Sequence, residues 1–136
     1  MDLEHVREFI QGNHHAVMAT MRSDGRPQLT PVACGVDADG NVVVSTRETA
    51  YKTKNLRRDP RVSLCVLPDG FFGEWVQVDG IATVVSLPDA MEGLVDYYRG
   101  VAGEHPDWDD YRNAMERERR VLVRIGLQRA GPVRSG

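Results

Sequence analysis

The chain has 136 residues, of which 41% are hydrophobic, and its 17 basic and 20 acidic side chains give a formal net charge of −3. This length predicts one domain with a hydrophobic core but without a deep internal cavity. The slightly acidic balance argues against general binding to nucleic acid or to an anionic membrane surface.

The N-terminal half is predicted to contain one helix followed by three strands. Apolar residues recur at helical spacing from Leu3 to Ile10, and Gly12-Asn13 end this helix. Apolar runs separated by Asp- and Gly-containing turns predict strands at 15–22, 27–36 and 42–46. Because each turn returns the chain, we expect these three strands to form an antiparallel meander.

The C-terminal half is predicted to mix strands with short helices. A basic helix beginning near Ala50 ends at Asp59-Pro60, because a residue before proline is pushed out of the α region. Further elements are strands at 62–67, 75–87 and 121–127, with a bulge or bend at Gly80, and helices with Pro88 in the first turn and over 107–117.

These elements predict a fold of the α+β class that is mainly β. Six strands with inserted short helices fit an antiparallel barrel, whereas the absence of βαβ units with a glycine fingerprint argues against a Rossmann domain. We assign residues 1–129 to this domain and expect 130–136 to be a flexible tail.

The cysteine and histidine positions give no sign of a metal or a disulfide. Cys34 and Cys65 both fall inside apolar runs, which favours a reduced, buried pair in a cytoplasmic protein. His14 and His15 are adjacent and would point to opposite faces of a strand, so no metal site is predicted. The chain has no signal-peptide pattern and no run of 18 apolar residues, so we expect neither secretion nor a membrane span.

The most informative stretch is the junction between the third predicted strand and the basic helix. It gathers hydroxyl, cationic and amide side chains where free helix amides and a positive dipole suit an anion such as a phosphate. On the helix, Lys52 and Asn55 are three residues apart and are predicted to face this anion, while Leu56 anchors the helix. The alternatives are an ordinary exposed lysine and a helix-surface amide. The predicted phosphate-binding residues are Ser45, Thr46, Arg47, Lys52 and Asn55.

The string from Lys52 to Arg61, together with residues 25–32 and 103–112, resembles the flavin and deazaflavin split-barrel proteins, the superfamily of pyridoxamine-phosphate oxidase. The chain looks most like the small oxidoreductases of that superfamily that use the deazaflavin coenzyme F420. The resemblance implies that the junction holds the phosphate side of the cofactor. Many relatives carry an arginine where this chain has Ala50, and Arg47 could reach the same anion from another point of the loop.

The same resemblance implies where the cofactor ring lies. It would rest against the second strand at Gln28, Thr30, Pro31 and Val32, whose amide, backbone and apolar groups suit a ring with one polar edge. Trp75 would form a stacking wall, and the alternative is a tryptophan in the core or at a dimer interface. For Gln28 the alternative is a solvent-facing strand residue.

Together these features predict a homodimeric split barrel that binds F420 at the subunit interface and transfers a hydride between it and a small organic substrate. The alternatives are an FMN-dependent enzyme of the same fold, or a cofactor-binding module without turnover. No nucleophile and base pair is recognisable, so no catalytic side chain is predicted, and the cofactor would perform the chemistry. The sequence assigns neither the substrate nor the redox direction.

Overall fold

A computed structural model describes the backbone of residues 2–135 and the side chains of residues 2–131. The described chain contains seven strands and four helices. In chain order they are α1 (Leu3–Gly12), β1 (His15–Met21), β2 (Pro27–Ala33), β3 (Gly35–Val36), β4 (Val42–Arg47), α2 (Tyr51–Arg58), β5 (Arg61–Leu67), β6 (Glu74–Val85), α3 (Met91–Ala102), α4 (Trp108–Arg117) and β7 (Arg120–Ser135).

The strands form one antiparallel sheet in the order β2-β1-β5-β6-β7-β4-β3, which curves into a half-barrel. The two ends of this order, β2 and β3, are joined in sequence by a single residue, Cys34, whose N–H donates to the carbonyl of His14 at 2.8 Å. Gly35 then pairs with Val43 of β4. Below this crossing, β2 pairs with β1 alone among the described strands, which leaves its other edge open and splits the barrel.

Of two sequence-based predictions about the strands, one was wrong and one was right only in part. The strand predicted at 27–36 is two strands, because the chain changes partner at Cys34, from β1 to β4. The count is therefore seven and not six. The predicted meander is formed only in part, since the predicted second strand pairs with β1 over 27–33 but reaches β4 only through Gly35–Val36, and β4 pairs along its length with β7. Turn signals report the local reversal of the chain but not the long-range partner of each strand.

The long strands β6 and β7 carry the bend that the sequence predicted. The register between them shifts between Asp79 and Gly80, and a Cβ on Gly80 would lie 2.4 Å from the carbonyl oxygen of Gly126. Only glycine permits this approach of the two strands. Strand β7 extends past its predicted end at 127 to Ser135, still paired with β6. Flexibility of residues 130–136 stays a prediction, and Gly136 lies outside the described residues.

The helices are close to their predicted positions, and they divide the apolar side chains into two cores. The first core fills the barrel, where α1 contributes Val6 and Ile10 and α2 contributes Leu56. The second lies outside the barrel, where α3 and α4 cover Val43 of β4 and Leu122 of β7. Pro88 precedes α3, which begins at Met91, so it is not in the first helical turn.

The two cysteines differ in burial, although both were expected to be buried. Cys34 is buried in the barrel core, Cys65 is half-buried, and both are free thiols. Burial raises the pKa of Cys34 to about 12. No helix within residues 2–135 has the length and apolar character needed to cross a membrane.

Candidate functional site

The predicted phosphate junction lies where β4 gives way to α2. Thr53 is fully buried, and its hydroxyl donates to the carbonyl of Arg47 at 2.6 Å, which fixes the helix against the end of the strand. Ala50 occupies the N-cap position and offers no side-chain acceptor to the first turn. The amides of that turn therefore keep their capacity to bind an anion.

The two hydroxyl residues of the junction point to opposite faces of β4, as consecutive residues of a strand must. Thr46 is 2% exposed and pairs with Val121. Ser45 pairs with Leu122, so it shares the outer face of the sheet with Leu122. The structure thus does not bring Ser45 and Thr46 together as one pair of hydroxyl donors.

Lys52 is half-buried on the inward side of α2. It makes no hydrogen bond or ion pair within the part of the chain whose side chains are described. Its pKa is lowered, first by burial and then by the positive charge of Arg120. Sequence analysis missed Arg120, which is far from Lys52 in the chain but is the register partner of Arg47 across β4 and β7.

A single carboxylate, Glu118, connects the two arginines. Its Oε1 accepts from Nε and Nη2 of Arg120 at 3.1 and 2.8 Å and from Nη2 of Arg47 at 3.3 Å. Hydrogen bonding from Arg120 is the main reason that the pKa of Glu118 is lowered. We call Arg47, Lys52, Glu118 and Arg120 the junction cluster; it contains three cations and one anion.

Asn55 is 7% exposed and is committed to other side chains. Its Nδ2 donates to Thr20 Oγ1 at 3.1 Å and to Gln28 Oε1 at 2.9 Å, and its Oδ1 accepts from Nη2 of Arg58 at 3.0 Å. The structure therefore joins Asn55 to Gln28, two residues that the sequence assigned to different ends of the cofactor. Leu56 is buried and anchors α2, as expected.

The four residues predicted on β2 divide between its two faces. Gln28, Thr30 and Val32 pair with inward-facing residues of β1 and lie along the open edge of the barrel. Pro31 lies on the opposite, outer face and is exposed. At the end of β2 the hydroxyl of Tyr97 from α3 donates to the carbonyl of Ala33 at 2.9 Å, and the rest of the β2 edge stays open.

A groove of about 580 Å³ lies between the β1–β2 hairpin and α2. Its lining contains no carboxylate, and three of its side chains are cationic. Tyr51, which is largely exposed, has the ammonium of Lys54 over its ring at 5.7 Å. We call it the hairpin groove; its principal lining residues are Arg22, Gln28, Leu29, Tyr51, Lys54 and Arg58.

Trp75 lies away from these residues. It is half-buried on the outer face of β6, in an apolar pocket with Leu67, Phe71 and Phe72. Three strand spacings separate β6 from β2, or about 14 Å, and Gln28 lies near the opposite end of its strand. One protomer therefore does not bring Trp75 to Gln28.

The histidine- and acid-rich segment before α4 has a structural role. Asp107 caps α4 by accepting from the N–H of Asp110 at 3.1 Å, and Glu104 accepts from the indole N–H of Trp108 at 3.1 Å. Within the described residues no group of three or more His, Cys, Asp and Glu side chains is arranged to hold a metal ion.

The fold and the junction define the class of this protein. The described residues form a split barrel with a cationic strand–helix junction and an open strand edge. The family model of pyridoxamine 5'-phosphate oxidase matches residues 3–131, and the chain belongs to this family. Proteins of this family bind flavins.

Solved structures share the fold. A conserved hypothetical protein from Mycobacterium tuberculosis is 28% identical with a TM-score of 0.78, and the match covers 96% of this chain and 82% of that protein. An F420 reductase is 16% identical with a TM-score of 0.71, over 92% and 94% of the two chains. The heme storage protein HutZ from Vibrio cholerae is 20% identical with a TM-score of 0.73, over 100% and 98%. The last two similarities show the fold alone.

Proposed function

We propose that this protein is an oxidoreductase that binds the deazaflavin coenzyme F420 and transfers a hydride between it and a small organic substrate. The observation that carries the proposal is the state of Lys52, a half-buried cation that is repelled by Arg120, which in turn shares the carboxylate of Glu118 with Arg47. Burying a charge without a partner destabilises a protein. A bound phosphate would offset that cost, and it would explain why these cations lie close together.

The described residues fit F420 in two respects. The junction cluster offers cations to a phosphate, and the open edge of β2 offers free backbone groups to the polar edge of a ring. The hairpin groove continues along α2 with Arg22, Lys54 and Arg58, more positive charge than one terminal phosphate requires. F420 carries an extended anionic tail beyond its phosphate, whereas FMN ends there.

The protein itself would bind the cofactor and orient it. A bound deazaflavin supplies the hydride chemistry, and no nucleophile with an adjacent base lies in the junction cluster or the hairpin groove. The hydrogen bond between Asn55, which is buried, and Gln28, which is half-buried, links α2 to the hairpin and would keep the site in shape.

We further propose that the protein is a homodimer and that the cofactor lies between the subunits. The outer faces of β2, β1, β5 and β6 carry apolar side chains, and Leu29 and Phe72 are 65% and 80% exposed. Exposed apolar surface of this kind is typical of an interface. A second copy related by a two-fold axis would cover it and could bring the partner subunit's Trp75 to the site, which one protomer leaves without an aromatic wall.

The proposal is tested by titrating the purified protein with F420 and, separately, with FMN. We expect tighter binding of F420, and weaker binding of both at high salt because part of the attraction is between exposed charges. Arg22→Ala should weaken the binding of F420 more than the binding of FMN, because Arg22 lines the hairpin groove, where the tail of F420 would lie. Arg26→Ala is the matched control, an exposed arginine of the same turn that does not line the groove.

Equal or tighter binding of FMN would overturn the F420 assignment and favour the FMN-dependent alternative, which the family's use of flavins supports. Tight binding of F420 without oxidation or reduction by any substrate of a broad panel would favour a cofactor-binding module without turnover.

A further inference from the structure

The carboxylate of Glu118 is the unexpected part of the junction cluster. It follows the last turn of α4 and reaches both Arg47 and Arg120, so it takes hydrogen-bonding capacity from two of the three cations. Lys52 is left with no acceptor among the described side chains. If these cations served only to hold α4 against the barrel, a third unpaired cation beside them would add repulsion and no contact.

The charges of the cluster suggest why a carboxylate is present. Without Glu118, Arg47, Lys52 and Arg120 would place three positive charges at one strand–helix junction in the ligand-free protein. Glu118 neutralises one of them, and its oxygen accepts hydrogen bonds that a phosphate oxygen would otherwise accept. In the ligand-free protein the carboxylate of Glu118 therefore accepts the hydrogen bonds that the anionic group of a ligand would accept.

We propose that Glu118 is a specificity-determining residue, an internal counter-ion that competes with the ligand's phosphate for Arg47 and Arg120. Its repulsion grows with the charge of the anion. It thus disfavours a phosphomonoester, which carries about −1.5 to −2 at neutral pH, more than a phosphodiester, which carries a single charge. This proposal rests on the proposed function in one respect: the junction cluster binds the cofactor's phosphate.

The consequence concerns the choice of cofactor. FMN ends in a phosphomonoester, whereas the phosphate of F420 is a diester inside the molecule. Glu118 would shift the preference of the same three cations toward F420 without any contact to the ring. The anionic tail of F420 would bind in the hairpin groove, on the other side of α2, and would increase the preference for F420 further.

The test compares Glu118→Gln with Glu116→Gln. Glutamine keeps the size of the side chain and removes its charge. Glu116 is an exposed carboxylate two residues earlier in the chain that makes no ion pair with the described side chains, so its variant makes the same change in net charge. Calorimetric titrations with inorganic phosphate, FMN and F420 at pH 7.5 give the affinities, and a thermal melt of each variant checks folding.

For Glu118→Gln we expect inorganic phosphate and FMN to bind about three- to tenfold tighter, the effect of one nearby charge in a partly solvated site. F420 should gain less, so the ratio of FMN to F420 affinity rises. A role of Glu118 in holding α4 would change the melting temperature but not this ratio. Glu116→Gln should leave all three affinities unchanged.

Unchanged or weaker binding of phosphate and FMN to Glu118→Gln would overturn the proposal, as would an equal gain in Glu116→Gln. If Glu118→Gln does not fold, Glu118→Ala is measured in the same way. If the wild-type protein binds neither cofactor, the proposed function fails, while the titration with inorganic phosphate still decides the role of Glu118.

Discussion

The outer surface of the sheet is built differently in its two halves. Over β4 and β7, helices α3 and α4 cover Val43 and Leu122, which are almost fully buried. Over β2, β1, β5 and β6, the helices leave an apolar surface exposed, with Leu29 and Phe72 at its edges. The chain supplies its own cover for the first half, so that half serves stability. The described helices leave the second half uncovered, and we expect it to serve assembly and binding.

The largest effect should come from a charge in the uncovered half. Val17 lies near its centre, between Pro31 and Cys65 in register. In Val17→Glu we expect a monomer that no longer binds the cofactor, because a buried, unpaired carboxylate opposes association. Light scattering measures the mass and calorimetry the binding. Val17→Ala, which removes apolar area without adding charge, is the control. A monomeric variant with full affinity would contradict the shared site.

The next effect should separate the two halves by stability. Leu122→Ala removes a buried side chain from the covered half and should lower the free energy of unfolding by about 2–5 kcal/mol. Leu29→Ala makes the same chemical change in the uncovered half and should cost less than about 1 kcal/mol in the isolated subunit. Denaturant unfolding below the dimer dissociation constant gives both values. Equal losses would mean that the two halves are equally covered in the isolated chain.

Lys52→Ala tests the junction cluster, which lies beside the covered half. We expect binding of the cofactor to weaken by about 1–3 kcal/mol, because a charge-assisted hydrogen bond to the phosphate is lost. The fold should be unaffected, since Lys52 contributes little to either core. Arg117→Ala, an exposed cation on α4, is the control for the change in net charge. An unchanged dissociation constant for the cofactor would show that Lys52 is an ordinary lysine that does not bind the phosphate.

The smallest effect concerns the ligand-free protein. The pKa of Lys52 is lowered in the folded state, so the folded protein binds its proton less well than the unfolded chain does. Its charge therefore destabilises the fold at pH values below the folded pKa, and this penalty disappears as the pH rises toward 10.5. Lys52→Met should raise the melting temperature slightly at pH 7 and not at pH 10.5 or above. A lower melting temperature at pH 7 would show that Lys52 stabilises the fold.

Much of the fold could be read from local patterns. Helical spacing from Leu3 to Ile10, the break at Asp59-Pro60 and the bulge at Gly80 are properties of neighbouring residues, and the structure has them close to the predicted positions. The burial of Leu56 also followed from the helix period. Such features depend on backbone sterics and on side-chain periodicity, which act within one element.

The candidate site was harder to predict. The sequence grouped Ser45 with Thr46, but strand alternation separates them, and it assigned Asn55 to a phosphate although its amide is bound to Gln28 and Thr20. The alternation of side chains along β2 likewise places Pro31 on the face opposite to Gln28 and Thr30. These differences arise where residues that are close in sequence were assumed to lie on one surface of the fold.

The sequence by itself determined the helices, most of the strands, the family and the basic character of the junction, because each depends on residues that are close together in the chain. Only the tertiary structure decided that Glu118 and Arg120 join Arg47 and Lys52, that Trp75 lies about three strands from Gln28, and that no helix of the described chain covers half of the outer sheet. These are contacts between distant segments. They depend on which strands pair and in which register, and no local pattern specifies that choice.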